Sequence, residues 1–179
     1  MKAFLVLVAL VLAGGVALMY SGMVDVGASK PDPPVVRWVL STVSDHSVER
    51  HAKGIVVPAL GSPQQLHAGF LHYREQCAVC HGAPGAEQTA LSKGLNPRAP
   101  KFSRGTDLAP EELFWITKNG IRMTGMPAWG ATEGDEDMWA TVAFVQQLEK
   151  VTPEQYREMS RAAGNTGAEA TAAAGKKKP

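Results

Sequence analysis

Two thiols and an imidazole stand together at Cys77-Ala78-Val79-Cys80-His81. Cysteines three positions apart, followed at once by histidine, have the spacing to add across the two vinyl groups of a haem as thioethers. The histidine then lies beneath the iron as a proximal ligand. Other chemistries of a C-x-x-C pair fit less well. A thioredoxin-like redox pair needs a neighbouring βαβ pattern, and no such pattern occurs here. A zinc site needs a second pair of ligands at metal spacing, yet the chain has only 2 cysteines. A disulfide closing so short a loop would remove little chain entropy. The motif therefore points to covalent attachment of one haem c through Cys77 and Cys80, with His81 on the iron.

The elements that must position this motif can be read around it. Ser62-Pro63-Gln64-Gln65 opens a helix: Ser62 caps, Pro63 suits the first helical position, and Gln65 completes a capping box. Leu66, Phe70 and Tyr73 follow as an apolar face that leads into the motif. Gly69 sits on that face, where glycine costs about 1 kcal/mol relative to alanine, so it is expected to admit another helix at close range. His67 and His72 read as solvent-side residues. From Gly82 to Thr106 glycines and prolines interrupt any regular element, and a loop of this length is unusual unless it is functional. Wrapping a haem edge would account for it, with a loop carbonyl accepting a hydrogen bond from His81 Nδ1–H.

Pro110-Glu111-Glu112 begins a further helix that stops at Gly120, with Leu113 and Ile116 as its inward stripe. A loop with two methionines, Met123 and Met126, follows. The closing helix begins near Asp135 and carries Met138, Trp139, Val142, Val145 and Leu148. Its Trp139 and Val142 are expected against Gly69 and Tyr73. Tyr73, Trp115, Trp129 and Trp139 read as core or crevice walls. Arg98, Lys101 and Arg104 read as a solvated basic face, able to meet propionates or an acidic partner. The acidic cluster Glu133, Asp135, Glu136 and Asp137 reads as compensation of a helix N-terminal dipole.

Outside this region the chain carries an N-terminal run, Ala3 to Val24, free of charge. At 1.5 Å per residue it can cross a hydrocarbon core of about 30 Å. It is longer than a signal h-region usually is, which favours an uncleaved anchor. Val26 and Ala28 nevertheless offer an A-x-A-like cleavage site before Ser29. Either fate sends the remainder out of the cytoplasm. Residues 27–61 form a Pro-punctuated linker with a short amphipathic helix around Val36, Val39, Leu40 and Val43. This helix either packs on the domain or meets a membrane surface or partner through Trp38. His46 and His51 follow in a polar segment as weak ligand candidates. Residues 153–179 read as a short helix reaching Arg161, then a disordered Ala/Gly/Lys tail.

Basic and acidic residues balance at 18 and 17, with three of the lysines at 176–178. This argues against a nucleic-acid binder, which usually carries a basic patch. Aromatics make up only 7% of the residues, against 18 glycines and 12 prolines. That suits a small all-α domain filled by a cofactor as much as by side chains.

The capped helix with Gly69 and Tyr73, the Cys77–His81 motif, the Pro-rich loop, the middle helix, Met126-Pro127 and the closing helix stand in one order. In that order they resemble the class I monohaem cytochromes c, over roughly Ser62 to Lys150. The resemblance implies an all-α cytochrome c domain at 62–152; it carries nothing over to the hydrophobic helix at 1–26, which reads as a transmembrane anchor or signal segment on its own composition. It also implies Met126 as sixth ligand and a Gly/aromatic crossing of the first and last helices. Gly125 and Pro127 favour Met126 over Met123, and both methionines filling core gaps is the third alternative. The implied activity is single-electron transfer rather than catalysis. It would operate at the periplasmic side of the inner membrane, tethered by the helix or soluble after cleavage. Its redox partners would be a dehydrogenase, a quinol-oxidising complex or a terminal reductase. Alternatives are a fixed haem subunit of a larger respiratory complex, or a haem enzyme or gas-binding protein with a displaceable sixth ligand.

Overall fold

The computed structural model describes the backbone of residues 1–175 and the side chains of residues 1–164. Among the described residues every regular element is helical. The chain divides into two compact units at Lys30 and Pro31.

The first unit is α1, Lys2–Tyr20, an apolar helix with no buried residue. Its 19 residues span about 28 Å, close to the thickness of a hydrocarbon core. Ser21 closes it by donating from Oγ to the Leu18 carbonyl at 2.7 Å. Asp25 then gathers the Gly27 N–H and Lys30 Nζ at 2.9 and 2.8 Å. These two donors hold its exposed carboxyl below the ordinary carboxylate range, the lysine more strongly than the amide.

The second unit begins with α2, Pro34–Ala52. This helix is longer than the sequence pattern implies and takes in His46 and His51. Its second half is polar, but Val48 and Ala52 are buried. His51 stacks on Trp115 with ring centroids 5.4 Å apart, so tertiary contact extends the helix. The remaining helices are α3 (Pro63–His72), α4 (Ala78–His81), α5 (Ala90–Gly94), α6 (Pro110–Asn119), α7 (Asp135–Val145) and α8 (Pro153–Gly175).

The capping box of α3 forms as the sequence indicates. Ser62 Oγ accepts from Gln65 N at 3.2 Å, and Gln65 Oε1 accepts from Gly61 N at 2.7 Å. The crossing of α3 over α7 is the centre of the domain. A Cβ on Gly69 would overlap the Ala140 carbonyl and come within 2.9 Å of Phe144 Cβ, so only glycine admits this approach. The partners at the crossing are therefore Ala140 and Phe144, not the Trp139 and Val142 face expected from sequence. Tyr73 lies 5.6 Å from the Phe144 ring, whereas Trp139 stacks on Phe114 of α6 at 4.1 Å. On α6 the buried pair is Leu113 and Phe114; Ile116 is only half-buried.

His72 is also not a solvent-side residue. It sits between Glu133, 3.9 Å from Nδ1, and Asp137, 3.5 Å from Nε2, at the start of α7. Thr152 and Gln155 cap α8 reciprocally at 2.8 and 3.2 Å. Tyr156 and Ala163 bring α8 into the core, with Tyr156 edge-on to Phe70 at 5.5 Å. The α8 backbone stays helical to Gly175, past the expected end at Arg161, in keeping with the high helix propensity of its alanines. The end of the tail, residues 176–179, lies outside the described residues.

Candidate functional site

Between α3 and α4 the chain makes a π turn, Tyr73–Cys77, in which the Ala78 N–H reaches back to the Tyr73 carbonyl. Helix α4, four residues carrying Cys80 and His81, is too short to hold itself. Its orphan carbonyls are taken by side chains of the following loop. Thr89 Oγ1 donates to the Val79 carbonyl at 2.5 Å, and Ser92 Oγ donates to the Cys80 carbonyl at 2.8 Å. Thr89 also caps α5 by accepting from Ser92 N at 3.0 Å. The Tyr73 hydroxyl, buried at the root of the motif, donates to the Gly82 carbonyl at 2.7 Å. The motif is thus clamped on both sides. Thr89 and Ser92 escape sequence reading, although Thr-x-x-Ser is a recognisable capping pattern.

His81 is 8% exposed. Its Nδ1 lies 2.9 Å from the Pro100 carbonyl oxygen, and its ring stacks on Phe102 at 4.6 Å. A carbonyl can only accept, so Nδ1 carries the proton and Nε2 keeps its lone pair. Burial, partly offset by the Pro100 contact, lowers the pKa of the ring and favours this neutral form. The loop carbonyl expected from sequence is therefore that of Pro100. Phe102, which fixes the ring plane, has no periodic signal to reveal it.

Cys77 and Cys80 are not bridged to each other. Burial, reinforced by Cys80, pushes the Cys77 thiol up to about 12. The site thus offers two sulfurs and one neutral imidazole on a single rigid segment. This donor set fits a covalently attached haem: sulfur for thioethers, and an oriented nitrogen for the iron.

The methionine loop is built separately. Gly120 ends α6 at φ 65°, and a Cβ there would lie 2.7 Å from the Met126 carbonyl oxygen and 2.8 Å from the Pro127 carbonyl carbon. Ile121 N donates to the Met126 carbonyl at 3.3 Å. Thr124 Oγ1 donates to the Ile121 carbonyl at 2.7 Å and accepts from Met126 N at 3.1 Å. Met126 is half-buried at this clamp, whereas Met123 sits at φ 59° and is 77% exposed. Gly125 packs against Leu95, whose Cδ2 lies 2.5 Å from an added Cβ. The methionine loop therefore meets the long loop that wraps His81. Trp129, three residues on from Met126, lines a small cavity with Cys77, Gln76 and Met138. Beside His81, Lys101, Ser103, Arg104 and Gln88 border a polar cavity of about 170 Å³.

Residues 64–145 match the family described as cytochrome c oxidase, cbb3-type, subunit III. No curated protein matches the chain. The matched segment contains both cysteines, His81, the Pro100 carbonyl and Met126, and its all-helical fold agrees. Over this segment the chain is similar to the class I-like c-type cytochromes, and the cysteines and histidine present fit the covalently bound haem c of electron transport.

Proposed function

We propose that Cys77 and Cys80 form the thioether links, that His81 Nε2 and Met126 supply the two axial ligands, and that the protein passes single electrons at a membrane surface. The observation that carries this reading is the buried His81 ring, whose Nδ1 is committed to Pro100 while Nε2 keeps its lone pair. When bound, haem c supplies the one-electron couple. The protein's part is to orient, desolvate and tune. Pro100 and Phe102 fix the imidazole plane, and the Pro100 contact raises the basicity of Nε2. Thr124 and Gly120 hold the Met126 backbone, and a thioether ligand raises the potential. With His81 and Met126 both holding the iron, these residues would leave it to electron transfer rather than to a substrate.

The apolar helix α1 supports a tether that keeps the cytochrome domain on the periplasmic side of the inner membrane. Redox proteins such as a dehydrogenase, a quinol-oxidising complex or a terminal reductase would dock transiently on the cytochrome domain. One observation favours a second reading, a fixed haem subunit of an oxidase: the matching family is described as an oxidase subunit. Isolation in mild detergent separates the two. A monodisperse monomer favours the carrier, and a stoichiometric complex favours the subunit.

The ligand assignment is tested by optical and redox titration of full-length protein beside Met126→Ala and Met123→Ala. Low-spin, high-potential haem in the unmutated chain and in Met123→Ala, with thioether ligation lost only in Met126→Ala, is the expected result. Ligation that survives Met126→Ala would refute that residue's role. High-spin haem that freely binds small ligands in the unmutated chain would refute the carrier itself.

A further inference from the structure

Helix α2 has two apolar stripes, and only one of them is covered. Val48 and Ala52 are buried in the domain, and His51 stacks on Trp115 of α6. Val36, Val39, Leu40 and Val43, at helical spacing in the first half, are all exposed. At 3.6 residues per turn the second stripe lies roughly 150° around the helix from the first. Val35 widens it on one side, and Trp38, 65% exposed, stands beyond Val35 at the far edge of the same open face. Domain packing therefore leaves this face open, and a contiguous apolar patch of this kind marks an interaction site.

From the residues on this face we infer that the first half of α2 lies in the interface of a phospholipid bilayer and holds the cytochrome domain down on the membrane. The inference rests on reading α1 as an uncleaved anchor. Residues 21–33 alone separate α1 from α2, a tether of at most about 45 Å. The tether keeps the patch within reach of the membrane that α1 enters. No carboxylate interrupts the helix from Pro34 to Ser44, while Arg37 stands beside Trp38. Aliphatic residues with an interfacial tryptophan and a basic neighbour are the chemistry of a helix lying in the headgroup boundary. A second copy of the chain fits less well, because the first half of one helix offers less than the roughly 800 Å² per partner of a stable interface. Since the second half of α2 is fixed to α6, bilayer contact at Val39 and Leu40 orients the whole domain rather than leaving it to swing on its linker.

The test places an environment-sensitive fluorophore, through single cysteines, on the full-length holoprotein in phosphatidylethanolamine–phosphatidylglycerol vesicles. Labels at Val39→Cys, Leu10→Cys and the exposed Glu87→Cys are compared for quenching by nitroxide lipids and by aqueous iodide. The expected result is loss of emission to nitroxide lipid at positions 10 and 39, with protection from iodide, and the reverse at 87. Iodide quenching at 39 with lipid quenching at 10 overturns the inference and leaves the anchor standing. Protection of 39 from both quenchers means that protein covers it, which also overturns the inference. Lipid quenching at neither 10 nor 39 overturns anchor and inference together.

Discussion

The crossing of α3 and α7 allows a prediction in which two effects of one added methyl group oppose each other. In Gly69→Ala the new Cβ would lie 2.6 Å from the Ala140 carbonyl carbon and 2.9 Å from Phe144 Cβ. Carbon atoms in good contact sit near 3.5–4.0 Å, so the helices must part by about 1 Å. The obstacle is backbone, which cannot rotate away as a side-chain tip can. The cost therefore falls at the upper end of the overpacking range, about 3 kcal/mol. Alanine returns about 1 kcal/mol of helix propensity, for a net loss of about 2 kcal/mol. With a urea m-value of about 2 kcal/mol/M, the unfolding midpoint drops by about 1 M. Gly164→Ala in α8 supplies the contrast, since nothing lies within 4 Å of its added Cβ. Propensity alone then acts, and stability rises by up to about 1 kcal/mol. Urea unfolding of the holoprotein in detergent, followed by far-UV circular dichroism, measures both. A Gly69→Ala midpoint at or above that of the unmutated protein would refute the close-approach argument.

Other positions yield shorter expectations. Tyr73→Phe keeps the ring against Phe144 but removes the 2.7 Å bond to the half-buried Gly82 carbonyl; the loss costs about 1 kcal/mol by the same urea assay. Trp139→Ala empties the space stacked on Phe114 and should cost about 3–5 kcal/mol, whereas Trp38→Ala, at an exposed site, should stay within about 0.5 kcal/mol. Thr124→Ala removes both hydrogen bonds that its hydroxyl makes to the methionine loop. Thioether ligation, followed optically during urea titration, should then be lost before global unfolding. Coincident loss in Thr124→Ala and the unmutated protein would contradict the role given to that clamp.

The local signals were legible in sequence, and the choices between faces were not. Ser62 and Gln65 announce their capping box because both partners lie within one turn of chain. Gly69 announces a close approach because nothing else explains a glycine on an apolar helical stripe. It could not name its partner, for a physical reason: α7 is buried on every side from Met138 to Val145. With no polar face to orient that helix, periodicity offers Trp139 and Val142 as readily as Ala140 and Phe144. The length of α2 was hidden for the opposite reason, since its second half is polar and its order comes from His51 on Trp115. The setting of His72 is invisible in sequence because the groups that enclose it, Glu133 and Asp137, arrive from a distant part of the chain. Pro100 and Phe102 likewise lie in a loop without period, where sequence implies that some carbonyl serves His81 but not which one.

The least legible feature, the π turn, also explains how one helical rod serves two purposes. Phe70, Tyr73, Cys77 and His81 are spaced by three, four and four, which in an unbroken α-helix puts all four on one stripe. That stripe would face α7, where Phe70 and Tyr73 meet Phe144. His81 instead faces Pro100 and Phe102. The bond from Ala78 N–H to the Tyr73 carbonyl spans five residues rather than four. One surplus residue in a turn corresponds to up to roughly 100° of rotation. The turn therefore swings His81 off the packing face without ending the rod, while Cys77 and Ala78 stay against the core. The upstream part anchors in the α7 crossing, and the downstream part turns its imidazole toward the long loop. Because the two parts remain one continuous backbone, the tight Gly69 contact fixes the position from which His81 projects, and core packing and ligand geometry are set by the same helix.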